Sequence, residues 1–320
     1  MLKPGYSRNI IQIISRYSNL PEQDVKGLFK KNGIYADRTG WAKFTDLALL
    51  GIGVAFLLAG TIFFFAYNWD NLHKFVKLGM IQAMIILPIV SILVFKPREL
   101  VKNILLTMSC VLVGVLFAVF GQIYQTGADA YDLFLGWTVF IAIWALSTRF
   151  EALWIIFLVL INTTFMLYVE QAAPYVLEKS MYVILYSFNL LVVIAVQLLS
   201  SRVEVATWFT RIVIFGAVVI LTIGLVDGIW KHYPPEWFVS LGLCLLSYAA
   251  GVYYSIKRRS MYLLCILPLS IIIVLCALYF ERVNADTGSF IFISLVIVIS
   301  ITFLVRELMR LNRTWHAVKS

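Results

Sequence analysis

Apolar residues run for about twenty positions at a time along this chain, separated by short polar connections. The runs cover 44–67, 75–95, 101–121, 131–147, 151–170, 179–199, 209–228, 237–255, 260–280 and 288–308. Within each run the apolar side chains occupy every face instead of alternating. That excludes the strands of a membrane β-barrel and predicts helices. A helix of about 20 residues crosses a ~30 Å hydrocarbon layer and satisfies its own backbone polar groups there. The pattern therefore predicts an all-α protein, a polytopic transmembrane helical bundle of about ten spans. The fourth run is short and the 121–132 boundary is soft, so nine or eleven crossings stay open.

Residues 1–43 form the one sizeable polar segment. Ser7 is placed to cap a short helix bearing Ile10, Ile11, Ile13, Ile14 and Tyr17 on one side. Pro21, with Glu22 and Asp24, reads as a second helix start, and Asn32-Gly33 as its stop. Lys26, Lys30 and Lys31 oppose Val25, Leu28 and Phe29, the pattern of a cytoplasmic amphipathic hairpin at a membrane surface. A cap packed beneath the bundle fits the same pattern, as does a docking segment for a membrane-protein partner. Residues 309–320 read as a basic cytoplasmic tail. No apolar stretch of signal-peptide type precedes Phe44, so no cleaved leader is expected.

Composition sharpens this picture. The chain is 62% hydrophobic and 13% charged, with a mean hydropathy of +0.91. Soluble domains are about half apolar and a quarter charged. The net charge of +9 has a topological account rather than a nucleic-acid one. Of the 26 Lys and Arg, only Lys74, Lys77, Lys179, Lys231 and Arg282 fall on the side opposite the N-terminus. Lysine and arginine are retained on the cytoplasmic side of a membrane, whereas acidic residues have little say. Both termini are thus expected to be cytoplasmic, in a cell inner membrane, with the basic side against anionic inner-leaflet lipids. Cys110, Cys244, Cys265 and Cys276 all lie in spans without metal-ligand spacing and read as packing thiols.

Some spans carry small residues four apart: Gly51, Ala55 and Ala59; Gly224 and Gly228; Ser247 and Gly251. Such stripes let helices approach closely in lipid. Pro88 and Pro268 stand near the middle of spans two and nine, as static kinks or as hinges. Asn162 and Asn189 lie at similar depth on adjacent spans, where interhelical hydrogen bonding is their default role.

Three connections predicted to face outward mix aromatic, carboxamide and acidic residues. The first, "YNWDNLHK", contains Asn68, Trp69, Asp70 and His73, with Asp70 placed to cap span two. The second, "GQIYQTGADAYD", contains Gln122, Tyr124, Gln125, Asp129 and Asp132, the last two standing where a cap and a first-turn acid belong. The third, "DGIWKHYPPEW", contains Trp230 and His232. Two readings stay open. These are independent interfacial turns with the usual aromatic belt, or they converge into one outward-facing ligand pocket. The sequence holds no HExxH, GxSxG, Walker or GxGxxG motif. No catalytic residue, cofactor or metal site is expected.

Asn68-Trp69-Asp70 and Gly121-Gln122-Ile123-Tyr124, followed by "GADAYD", resemble the motifs of a family of bacterial predicted membrane proteins catalogued as domain of unknown function 2157. The resemblance covers about residues 20–147. It implies an integral membrane protein and brings no activity, substrate or cofactor. Ligand binding or transport through the outward pocket is the leading functional reading. A non-catalytic assembly or sensor subunit is the alternative. A membrane-embedded enzyme on a lipid-linked substrate, using Asp70, Asp129 or Asp132, ranks third.

Overall fold

Each apolar run folds as one helix. The computed structural model describes residues 21–31, 38–67, 72–124, 127–199, 205–283 and 286–317. A short polar helix, α1 (Glu22–Lys31), precedes α2 (Arg38–Tyr67), α3 (Lys74–Phe95), α4 (Glu99–Tyr124) and α5 (Ala130–Ser147). There follow α6 (Glu151–Gln171), α7 (Met181–Leu199), α8 (Thr207–Trp230), α9 (Pro235–Arg258), α10 (Met261–Arg282) and α11 (Thr287–Ala317). A turn of helix, Pro174–Leu177, and a 3-10 turn, Glu178–Ser180, lead into α7. No strand occurs among the described residues. Helices α2 to α11 are ten helices long and apolar enough to cross a membrane. The protein is an all-α, polytopic membrane protein.

Two helices overrun their apolar stretches. The first turns of α2, Arg38 to Lys43, precede the run that starts at Phe44, and α11 continues beyond residue 308 to Ala317. Backbone hydrogen bonding continues past the apolar stretch, and polar turns of this kind suit the headgroup layer at the end of a span. Helix α1 starts where proline and acid predict, with the Pro21 carbonyl accepting from the Asp24 and Val25 amides at 2.9 and 3.2 Å. The Ser7 helix of the expected hairpin lies outside the described residues.

The chain divides into two compact units, residues 1–116 and 117–320. In the first, Thr61 and Phe65 of α2, Ile81, Ile85 and Pro88 of α3, and Cys110, Leu112 and Val113 of α4 are buried. Helix α3 passes through Pro88 without a break. The Ser109 hydroxyl donates to the Ile85 carbonyl at 3.2 Å, close to the backbone position that a proline disturbs.

The second unit is built around α8. Its Ala217, Val218, Leu221 and Leu225 form a buried cluster with Tyr186 of α7, Cys244 and Tyr248 of α9, and Leu267 of α10. The glycines explain how the neighbours come so close. A Cβ added at Gly224 would sit 2.6 Å from Tyr182 Cβ, and one at Gly228 would overlap the Trp237 ring. At Gly251 it would lie 3.0 Å from Leu267 Cδ1. At Gly51, by contrast, it would meet nothing within 4 Å among the described residues. One sequence signal thus marks tight packing on α8 and α9 and, among the described residues, open space at Gly51 of α2.

Polar groups inside the second unit are paired across helices. Asn189 Nδ2 of α7 donates to Asn162 Oδ1 of α6 at 2.6 Å, with a longer return bond of 3.4 Å. Each amide also donates to the carbonyl four residues earlier, Leu185 and Leu158. A double-mutant cycle of Asn162→Leu and Asn189→Leu is expected to give a coupling of about 0.6–2 kcal/mol. Reversible unfolding in detergent or bicelles checks it. Additive effects would remove the pair from the account.

Candidate functional site

The third of the polar-aromatic connections folds into an unusual exit from α8. The Lys231 amide closes the helix on Asp227 O at 3.0 Å, and the His232 and Tyr233 amides reach back to Ile229 O and Gly228 O at 3.1 and 2.9 Å. His232 and Tyr233 both take left-handed backbone, φ 61° and 58°. For residues with a Cβ this costs about 1 kcal/mol or more each. At Tyr233 side-chain contacts offset the cost. The Tyr233 hydroxyl donates to Glu281 Oε2 at 3.1 Å, and its ring meets Trp237 edge-on at 5.0 Å. Pro234 and Pro235 then start α9, where a missing amide proton is harmless. This geometry turns Trp237 back onto α8, where its indole N–H donates to Leu225 O at 2.9 Å.

Between the start of α7, the end of α8 and the start of α9 lies a cavity of about 340 Å³. Its walls mix charge with aromatic surface: Glu178, Lys179, Asp227, Lys231, Glu236 and Trp237. Lys231 Nζ stands 3.0 Å from Glu178 Oε1 and 3.0 Å from Asp227 Oδ2. Hydrogen bonding to Glu178, then to Asp227, raises its pKa above the ordinary 10.5. A cation whose pKa rises on folding adds stability that is present in full below its unfolded pKa and is lost as the pH climbs through the folded one. Stability is therefore expected to hold level with respect to this group up to about pH 10 and to fall above it. Lys231→Gln should blunt that alkaline loss in a pH series of melting curves. All three side chains are partly exposed, so the effect is small.

Glu236 is different. Its Oε2 is closed to solvent and has no hydrogen-bond partner among the described residues. An acceptor in that condition costs free energy until a donor reaches it.

A second space adjoins the first. A groove of about 620 Å³ is lined by α8 and α10 residues including Phe215, Ile223, Trp230 and Ile273. Tyr182 and Asp227 line both spaces. Thr222 and Ser270 also line the groove, within a chain of buried hydroxyls. Thr222 donates to Val218 O at 2.6 Å, so the 2.6 Å contact between Thr222 and Ser270 takes its proton from Ser270. The 2.7 Å contact between Ser270 and Tyr248 then takes its proton from Tyr248. In the first unit, a separate groove of about 550 Å³ between α2, α3 and α4 is lined by Leu49, Leu57, Leu87, Pro88 and Met108, with Ser91 as its polar side chain.

The residues singled out in the sequence fall in both units and partly outside the described residues. Asn68, Trp69, Asp70 and Gln125 lie outside the described residues. His73 is the N-cap of α3, its Nδ1 accepting from the Phe75 amide at 3.4 Å. Gln122 is exposed, and Tyr124 packs on Phe120 at 4.6 Å near the end of α4. Asp129 is the N-cap of α5, and its amide donates to Asp132 Oδ2 at 3.2 Å. Both aspartates are thus engaged in starting a helix. Trp230 lines the groove, and His232 is an exposed residue of the turn. The groups that do gather are Glu178, Asp227, Lys231, Glu236 and Trp237. Four of these five stand within the quoted connection "DGIWKHYPPEW". The missing signal was their partner, Glu178, which is 53 positions from Lys231.

Family comparison bears on the other end of the chain. Residues 21–154 match the family described as predicted membrane protein (DUF2157). The resemblance carried by Asn68-Trp69-Asp70 and Gly121-Gln122-Ile123-Tyr124 falls inside that segment. The DUF2157 match ends at Trp154 of α6, so Glu178 and the other cavity residues lie beyond it. No curated protein and no solved structure matches the chain.

Proposed function

We propose that this is a ligand-binding membrane protein, a transporter rather than an enzyme, that takes a small amphiphile at the α7–α8–α9 cavity. One observation carries the reading: a charged, aromatic cavity and an apolar groove share Tyr182 and Asp227 as common wall. Concave sites with mostly apolar lining and a few convergent polar groups are where small molecules bind. Charge supports an outward-facing site in an inner membrane, with both termini cytoplasmic. At the opposite end of the second unit, the Tyr262 hydroxyl donates to Arg211 O at 2.5 Å, and Arg259 Nη1 reaches Trp315 O at 3.3 Å. With Lys257 and Arg258 that end is basic, and a basic end faces the cytoplasm and its anionic lipids. Residues 1–43 are, on this reading, where a membrane-protein partner would dock.

The test is co-purification. Solvent extraction of protein purified in mild detergent is expected to release an amphiphile in near-stoichiometric amount. Ser240→Trp, which fills the cavity, should lose it. An equal yield from both proteins, or no amphiphile above the detergent blank, would contradict the proposal.

A further inference from the structure

Resting on that reading, we propose the ligand class: a glycerophospholipid whose head group carries a primary ammonium next to its phosphate. Its acyl chain lies along the α8–α10 groove and its head group sits in the cavity.

The groove selects a hydrocarbon chain. Phe215, Ile223, Trp230 and Ile273 are about half exposed on helices that cross the membrane, so their free surfaces meet lipid. Along α8 the lining extends from Phe215 to Trp230, about 22 Å at 1.5 Å per residue. Half of a ~30 Å hydrocarbon core is about 15 Å. A chain laid in this groove therefore stays covered through a whole leaflet. Its upper end arrives at Tyr182 and Asp227, where the cavity begins.

The cavity selects the head group. Lys231 is held by two carboxylates and offers no spare positive charge. What remains is the Glu236 carboxylate on the cavity wall, whose Oε2 has no donor among the described residues, and the exposed Lys179. A primary ammonium supplies N–H groups for Glu236, and a neighbouring phosphate finds its cation in Lys179. Quaternary ammonium heads have no N–H to donate. An anionic head without an amine brings its phosphate toward Glu178, Asp227 and Glu236 and leaves Glu236 unpaired. The same geometry thus disfavours both competitors, for different reasons.

Native mass spectrometry of the delipidated full-length protein tests this, with phosphatidylethanolamine, phosphatidylcholine and phosphatidylglycerol of matched chains added in turn. The ethanolamine lipid is expected to bind about tenfold more tightly than the other two, the value of one charge-assisted hydrogen bond. Glu236→Gln should abolish that preference. Ile273→Trp, on the lipid-facing wall, should weaken all three lipids equally and keep their order. Gel filtration and circular dichroism establish that each variant is folded. Equal binding of the three lipids, or a preference that survives Glu236→Gln, would overturn the head-group assignment. Binding still lost in Ser240→Trp would in that case leave the cavity reading standing. Lipid binding indifferent to Ser240→Trp would overturn both.

Discussion

Leucine at Gly228 is expected to destabilise the second unit by several kcal/mol, more than leucine at Gly51 does the first. A Cβ there already overlaps the Trp237 ring, and Trp237 cannot swing away without giving up its 2.9 Å hydrogen bond to Leu225 O and its edge contact with Tyr233. Forcing a packed side chain out of its place costs about 1–3 kcal/mol, and the lost indole hydrogen bond adds about 1 kcal/mol. Gly224→Leu meets Tyr182 in the same way, with its nearest atom at 2.6 Å. The same change at Gly51, where the added atom meets nothing among the described residues, should be neutral or mildly stabilising, because glycine is the poorer helix former by about 1 kcal/mol. Thermal unfolding in one detergent compares all three. A tolerant Gly228 would mean that α8 and α9 do not pack as described.

Ser270→Ala is the second large effect, and direction makes it so. The hydroxyl chain runs from Tyr248 through Ser270 and Thr222 to Val218 O, each group donating onward. Removing Ser270 strands the Tyr248 proton in the buried centre of three helices, a loss of about 1–3 kcal/mol. Tyr248→Phe removes a donor and leaves every remaining proton with an acceptor, so about 0.5–1.5 kcal/mol is expected. The order Ser270→Ala worse than Tyr248→Phe, read from denaturation curves, checks the polarity of the chain. The reverse order would contradict it.

How far the fold was legible follows from what lipid demands. An apolar run of membrane length leaves a helix as the only backbone solution, so the ten helices and their order could be read from the sequence. Their ends could not, since the polar turns Arg38 to Lys43 and beyond residue 308 obey helix geometry, not hydropathy. Close packing was half legible: Gly224 and Gly228 look like Gly51 and Ala55 in sequence, and only a neighbour distinguishes them. The candidate site was the least legible. Asp129 and Asp132 sit at the start of a helix, where an acid stabilises that end, so their position has a local cause that needs no ligand. The cavity instead depends on Glu178 meeting Lys231 across 53 positions, and on two left-handed residues that turn Trp237 inward. Neither condition leaves a local motif.

Single cysteines reacted with a membrane-impermeant maleimide give the most direct test of the account, in which these helices cross a bilayer and the cavity opens to the outside. Native Cys110, Cys244, Cys265 and Cys276 lie within the spans and should stay silent. Lys179→Cys at the cavity mouth is expected to label in intact cells, and Arg258→Cys only after the membrane is permeabilised. Labelling of Arg258→Cys from outside, or of both positions alike, would contradict it.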